Sequence, residues 1–299
     1  MTLPSIICPK CKRSVSPING IRIKTSSYDD CLRICNICKI GFSNAKNNPT
    51  VIYKNYLENI PELLQQNLVF TLRNSINEFN RKNKLNKFGF SSSEDALTWS
   101  FFNYFVVNNK FEDLLDILNI ESDKTNYDIY LWGTKINSLN EQTNFIDQFK
   151  EVSNSFNEMP SRRTEPDVIL KFSNKLIFIE VKYLSSNAIT KEENKFTKYL
   201  ISDVNQKELI ESGHYELYRN WAFASKLSNG DNFELINLGR KILFNDKNQK
   251  NLLQFENSLK SSKGKFVKLN WEDILEKVNS KDYESWFKDY LNNKFSINR

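Results

Sequence analysis

Histidine is almost missing from this chain of 299 residues: there is one, His214. That scarcity excludes whole classes of chemistry. Zinc hydrolases with two or three His ligands, and nucleases built on His–metal or His–base pairs, need more than one. No apolar run reaches bilayer-spanning length, and the first residues (MTLPSIICPK) lack the basic–apolar–small order of a signal segment. There is no Walker A loop, no GxGxxG turn and no internal repeat, so no ATPase or helicase is fused to the chain. We therefore expect a soluble, cytoplasmic protein with no membrane contact and no nucleotide cofactor. Its catalysis must rest on carboxylates and lysine.

The cysteines are few and confined. All five fall between residues 8 and 38. Cys8-Pro-Lys-Cys11 and Cys35-Asn-Ile-Cys38 form two CxxC pairs separated by 23 residues. Each pair can present both sulfurs to one metal, and four thiolates complete a tetrahedral Zn²⁺ site. Gly41, just past the second pair, suits a tight turn there. Disulfides are the alternative, but a cytoplasmic setting disfavours them; a four-cysteine iron–sulfur cluster is another. Cys31 is the spare, read as a small buried residue, with replacement of Cys35 or Cys38 as a ligand the alternative. A module this small builds little core alone, so the zinc is expected to be structural. Residues 1–50 carry eight basic side chains against two acids, a surplus equal to the whole chain's +6. The basic excess thus lies on this module. Lys10, Lys12 and Arg13 are candidate phosphate contacts, and a solvated surface accounts for them equally well.

One later stretch carries the remaining chemistry. Glu165-Pro166-Asp167 leads into the apolar run Val168–Phe172. Ser173-Asn174 makes a turn, and Leu176–Val181 forms a second run ending at Glu180-Val181-Lys182. This predicts a β-hairpin. Period-two alternation puts Glu180 and Lys182 on one face, and the fold of the hairpin brings Asp167 near Glu180. Glu165 points the other way and is left out. Two adjacent carboxylates repel each other and call for a cation. Oxygen ligands without nearby His or Cys favour Mg²⁺ or Mn²⁺ over Zn²⁺. A lysine beside such an ion can orient a water or offset charge on a phosphate.

At these residues the sequence resembles the PD-(D/E)xK nuclease superfamily, with the restriction-endonuclease-like fold. Pro166-Asp167 matches the PD, and Glu180-Val181-Lys182 the (D/E)xK, twelve residues lying between the acids. The resemblance implies an α/β core with a mixed central sheet flanked by helices. It implies a metal held by Asp167, Glu180 and the Val181 carbonyl, with Lys182 positioning or activating the attacking water. It further implies an acid on a helix before the core sheet. Glu94, in the serine-capped segment from Ser91, is the candidate ahead of Asp95, the other reading being a cap acid favoured by the helix dipole. Arg162 and Arg163 lie where phosphates would approach such a metal, or are solvated loop charges. Tyr215 and Arg219 lie on a helix that would face the site; core packing and a surface charge are the alternatives.

The remaining pattern divides the chain into a zinc ribbon (1–46), a helical connector (50–85) and a nuclease domain (86–299). Asn47-Asn48-Pro49 is expected as a linker. Residues 51–84 show helical spacing, as do 140–156 and 203–227. Strands are expected at 127–133, 233–239 and 265–269, with closing helices from Trp271 and Tyr283. The expected function is a Mg²⁺-dependent endonuclease acting on double-stranded DNA in restriction or phage defence. A nuclease subunit of a repair, resolution or transposition complex is the alternative, or a DNA-binding module with silent chemistry. Many such nucleases work as homodimers, though no dimerisation signal stands out here.

Overall fold

The computed structural model describes residues 3–121, 127–138 and 144–297. The N-terminal module is built from two small antiparallel sheets. Strands β1 (Ile6–Ile7) and β2 (Ser14–Val15) pair with each other. Strands β3 (Arg33–Ile34), β4 (Ile40–Phe42) and β5 (Val51–Tyr53) form the second sheet. Each CxxC pair sits in the turn of a hairpin. Cys8 N–H bonds Arg13 O and Cys35 N–H bonds Ile40 O, both at 2.9 Å. The residue after each second cysteine takes a left-handed backbone: Lys12 at φ 62° and Lys39 at φ 54°. Gly41, expected in this turn, lies instead in β4. A Cβ there would come 2.6 Å from Cys31 Sγ, so the glycine makes room for the buried spare cysteine.

The segment after residue 46 departs from the expected linker and helices. Residues 47–49 turn the chain between β4 and β5, and Val51–Tyr53 completes the ribbon's sheet. Val, Ile and Tyr favour strand, and β4 offers them a free edge. The helical spacing beyond is broken into single 3₁₀ turns at Tyr56–Asn59 and Glu62–Leu64, then α1 (Leu68–Arg73) and α2 (Arg81–Phe88). Pro61 precedes the second turn; it has no N–H to continue a longer helix.

Helix α3 (Glu94–Val107) starts where the serines predict: Ser93 Oγ accepts from Ala96 N–H. Helix α4 (Phe111–Ile117) leads to β6 (Asp128–Leu131) and β7 (Thr134–Lys135). The run expected as one strand to Gly133 instead bends at Trp132-Gly133, with φ of 51° and 86°, in the two-residue turn suited to hairpin twist. Helix α5 (Asn144–Ser155) follows; residues 140–143 of its expected span lie outside the described residues. The hairpin is β8 (Val168–Lys171) and β9 (Lys175–Val181), turning at Ser173-Asn174 as expected, where Phe172 N–H bonds Lys175 O at 2.9 Å. The expected helix at 203–227 is two. After α6 (Glu193–Thr197), α7 (Gln206–Ser212) stops at Gly213, whose φ of 73° a side chain would resist, and α8 (Tyr215–Leu227) begins anew. Strand β10 (Asn232–Gly239), an unanticipated helix α9 (Asp246–Ser258), β11 (Gly264–Asn270), α10 (Trp271–Ser280) and α11 (Ser285–Ile297) complete the chain.

The main sheet has the order β11-β10-β9-β8-β6-β7. Strand β10 runs parallel to β9 and β11, while β8 runs antiparallel to β9 and β6. It is a mixed sheet with helices on both faces, as expected. The period of two sorts its side chains. Ile177, Ile179 and Val181 join the core under α3, α10 and α11. Leu176 and Phe178 face the opposite way, into the core under α5 and α8. Glu180 and Lys182 share the parity of Phe178, so they leave the sheet on the α8 side.

Candidate active site and metal centre

The ribbon's own core holds Val15, Ile40, Phe42 and Val51 beside Cys8 and Cys35, too little apolar surface to hold a fold by itself. The four sulfurs of Cys8, Cys11, Cys35 and Cys38 supply the missing restraint. They all lie within 4.8 Å of one another, and Cys11 Sγ is 3.6 Å from Cys35 Sγ. The Cys38 backbone N–H points at Cys35 Sγ and holds that thiol down to about 6, toward the thiolate that binds metal. Four sulfurs in this array fit a tetrahedral zinc ion. Cys31 stays outside the set, packed beneath Gly41.

The acids of the hairpin converge on the end of β9. There β8 has stopped pairing: Val168 opposite Ile179 is its last pair. Beyond that point, side chains take over the amides that β8 no longer reaches. Val181 N–H donates to Asp167 Oδ2 at 2.9 Å, and Tyr183 N–H donates to Glu94 Oε2 at 2.7 Å. The amide between them, on Lys182, points to the other edge and bonds Leu238 O of β10 at 2.7 Å. Asp167 from the start of β8 and Glu94 from the first turn of α3 are thus tied to alternate amides of one three-residue stretch. Ser185 Oγ adds a second bond to Glu94 Oε2, at 2.7 Å.

On the α8 side, Lys182 Nζ lies 2.7 Å from Glu180 Oε1 and 3.5 Å from Glu216 Oε2. Asn220 Nδ2 donates to Glu180 Oε2 at 2.7 Å. Electrostatics separates the acids. Burial pushes Asp167 well above the usual carboxylate range, and the negative charges of Glu180 and Glu94 add to it. Burial also raises Glu94. Glu180 pays the same desolvation, but the Lys182 ammonium leads the interactions that outweigh it, so its carboxyl falls below the usual range. Lys182, surrounded by Glu180, Glu94, Asp167 and Glu216, is held firmly as an ammonium despite its burial. The three carboxylates do not crowd as the sulfurs do. Among the described residues, the cysteine set is the one group of His, Cys, Asp or Glu ligand atoms within that spacing.

The model of a family described as restriction endonuclease associating with ARP matches residues 42–296, from the last residue of β4 into α11. The chain belongs to that family. No curated protein and no solved structure matches it. This restriction-endonuclease family membership covers the whole mixed sheet and all four converging side chains, Asp167, Glu180, Lys182 and Glu94. Both CxxC pairs lie before the matched region.

The other residues singled out from sequence are placed less centrally. Arg162 lies over the Phe79 ring, 4.4 Å from its centroid, and Arg163 donates to Pro160 O and Asn154 Oδ1. Neither touches the acid cluster. Arg219 sits 5.5 Å from the Tyr215 ring centroid, and its charge lowers Glu180. Lys10 lies over Tyr53 at 5.1 Å, while Lys12 and Arg13 are exposed on the first knuckle.

Three further residues lie beside this cluster and went unforeseen: Glu216, Asn220 and Lys84. Glu216 and Asn220 are four apart on α8, a spacing that gives one helix face, but they are set among aromatics that mask the polar signal. Lys84 of α2 is bound by Asp95 at 3.0 Å and Glu165 at 3.1 Å, lies 4.7 Å from the Trp132 ring centroid, and adds positive charge against Asp167. Glu165 is also anchored by Asn77 N–H at 2.7 Å, which fixes it away from the cluster, as strand parity suggests. Removing Lys84 strands two low-exposure carboxylates. Lys84→Ala is expected to destabilise the fold by about 3–5 kcal/mol, read from the denaturation midpoint at unchanged slope. A variant as stable as its parent would show that this ion triad contributes nothing.

Proposed function

We propose that this chain is a Mg²⁺-dependent endonuclease that hydrolyses phosphodiester bonds of double-stranded DNA, in restriction or phage defence. The reading rests on one observation: Asp167, Glu180, Glu94 and Lys182 meet from three separate elements at the end of β9, within a chain of restriction-endonuclease family. The donor set fits a hard divalent cation, because Asp167 is a desolvated carboxylate repelled by two others and the converging ligands are oxygens, with no imidazole or thiolate among them. Asp167, Glu180 and the Val181 carbonyl would hold that ion, with Glu94 completing the site. When bound, it would supply charge neutralisation at the phosphate and a more acidic water.

The chain's own residues then have separate parts. The Val181 and Tyr183 amides fix the carboxylates of Asp167 and Glu94, so no side-chain entropy is lost in aligning them. Asn220 fixes the second oxygen of Glu180. Lys182, kept as an ammonium, acts as a donor that orients the attacking water and offsets charge on the phosphate, rather than as a base. The ribbon, held by structural Zn²⁺, adds a nucleic-acid contact. The family's description names association with ARP, and we carry that to this chain as its protein partner. Incubation of the zinc-loaded chain with plasmid and Mg²⁺ is expected to give cleavage that stops when Mg²⁺ is withheld. Failure to cut duplex DNA with Mg²⁺ or Mn²⁺ would sink the reading.

A further inference from the structure

A cleft of about 670 Å³ opens between the ribbon and the first turn of α3. One wall is the ribbon segment Lys24–Ser27. The other is the face of α2 carrying Asn83, Asn86 and Lys87, and the cleft ends against Ser93, Glu94 and Ser185. Its lining carries hydroxyls, amides and two ammoniums, the set that proteins use on phosphate and sugar, together with the carboxylates of Glu94 and Asp95. Both lysines are exposed, and among the described residues neither is held in an ion pair. The neighbouring acids are already occupied. Asp95 is bound by Lys84, Glu94 by the Tyr183 amide and Ser185, and Asp30 by Ser26 and Ser27. Neither lysine is therefore claimed by a neighbouring acid, and both ammoniums are open to a phosphate.

Two further features point to the same occupant. Glu94 and Ser185 belong both to the cleft and to the carboxylate cluster, so a chain lying in one continues into the other. Beside the cleft the ribbon projects Ile21-Arg22-Ile23-Lys24, with Ile21 86% and Ile23 51% exposed. The exposed isoleucines are costly in water, and apolar side chains alternating with basic ones suit a groove of bases rimmed by phosphates.

We propose that this cleft seats the sugar–phosphate backbone of the DNA strand that runs on into the acid cluster, with Lys24 and Lys87 each contacting a phosphate. The ribbon is then a wall of the substrate groove, entering it by residues 24–27 rather than by the first knuckle. None of Lys10, Lys12 and Arg13 lines this cleft. The assignment rests on the nuclease reading above and deepens it.

The test is DNA affinity against salt for the full, zinc-loaded chain carrying Asp167→Asn, which binds without cutting. Adding Lys24→Ala with Lys87→Ala is expected to reduce the slope of log affinity on log salt by about 1.8. The loss of affinity between 50 and 200 mM salt then shrinks by about 12-fold. Lys12→Ala with Arg13→Ala serves as control and is expected to leave the slope unchanged. A slope unaffected by the Lys24 and Lys87 substitutions overturns the proposal, and so does an equal drop in the control, which would reveal a general basic field. Wild-type cleavage, measured alongside, separates the two failures. An unchanged slope with cleavage intact sinks the cleft alone; neither binding nor cleavage by the wild-type chain sinks the nuclease reading with it.

Discussion

Asp167→Asn is expected to lower DNA cleavage by about 10²–10³-fold or more and, in the same molecule, to raise thermal stability in the absence of Mg²⁺. The two effects have one cause. Asp167 is a desolvated carboxylate facing the charges of Glu180 and Glu94, and Lys84 and Lys182 only partly offset them. An amide of the same shape keeps an acceptor for the Val181 N–H and removes one of three like charges. Relief of about 1 kcal/mol raises the midpoint by roughly 2–4 °C in a domain of this size. Added Mg²⁺ reverses the order. An ion bound at a hundred times its dissociation constant stabilises the wild type by about 2.7 kcal/mol, and the Asn variant has lost the charge that attracts it. Scanning calorimetry of zinc-loaded protein, with and without Mg²⁺, reads both. A variant less stable than wild type without Mg²⁺ would mean that the carboxylate is already well compensated; wild-type cleavage would remove Asp167 from the chemistry. Lys182→Ala should cut activity as deeply but with the opposite stability sign, because it deprives Glu180 of the ammonium that lowers it. That contrast distinguishes loss of a site group from loss of fold.

The parts of this site that the sequence reveals are local. Asp167, Glu180 and Lys182 lie on one hairpin, so alternation and a turn suffice to bring them together. The cysteines are legible because tetrahedral sulfur ligation needs little beyond two CxxC turns. What stays hidden is the partner supplied from far along the chain. Lys84 precedes Asp167 by more than eighty residues and reaches its neighbourhood only because α2 packs against the Trp132-Gly133 turn, whose Trp132 N–H bonds Asp167 O at 3.1 Å. No periodicity marks Lys84, which lies in the Lys- and Asn-rich run Lys82-Asn83-Lys84-Leu85-Asn86-Lys87. Strand β5 was hidden for a different reason: Val51, Ile52 and Tyr53 continue into Leu57, Ile60 and Leu64 at helical intervals. That spacing is equally well met by a strand followed by short turns packing on α3. Glu94 is offered as a candidate only by the resemblance, and the structure shows what fixes its carboxylate, an amide at Tyr183 left open where β8 ends.

Cys8→Ser with Cys11→Ser is expected to remove the one zinc carried per chain and, with it, a binding free energy on the order of 10–16 kcal/mol that holds the ribbon folded. The loss should not stop at the ribbon. Strand β5, in its sheet, is also bonded to the segment that precedes α3. Tyr53 N–H donates to Gly89 O and Ser91 N–H to Val51 O, both at 2.8 Å, and Ile52 bridges Phe90. Two residues beyond Ser91, Ser93 caps α3 and Glu94 begins it. Unfolding the ribbon releases residues 89–91 to solvent and loosens the first turn that aims Glu94 at the Tyr183 amide, while α3 beyond it stays locked in the main core. Hydrogen exchange should therefore quicken at 51–53 and 89–94 but not along β8, β9 or the body of α3. Cleavage in excess Mg²⁺ should fall although every carboxylate of the site is intact. Retained zinc would refute the four-cysteine site. Zinc lost with protection at 89–94 unchanged would show that the ribbon folds apart from the carboxylate cluster, and Glu94 would then owe its position to α3 alone.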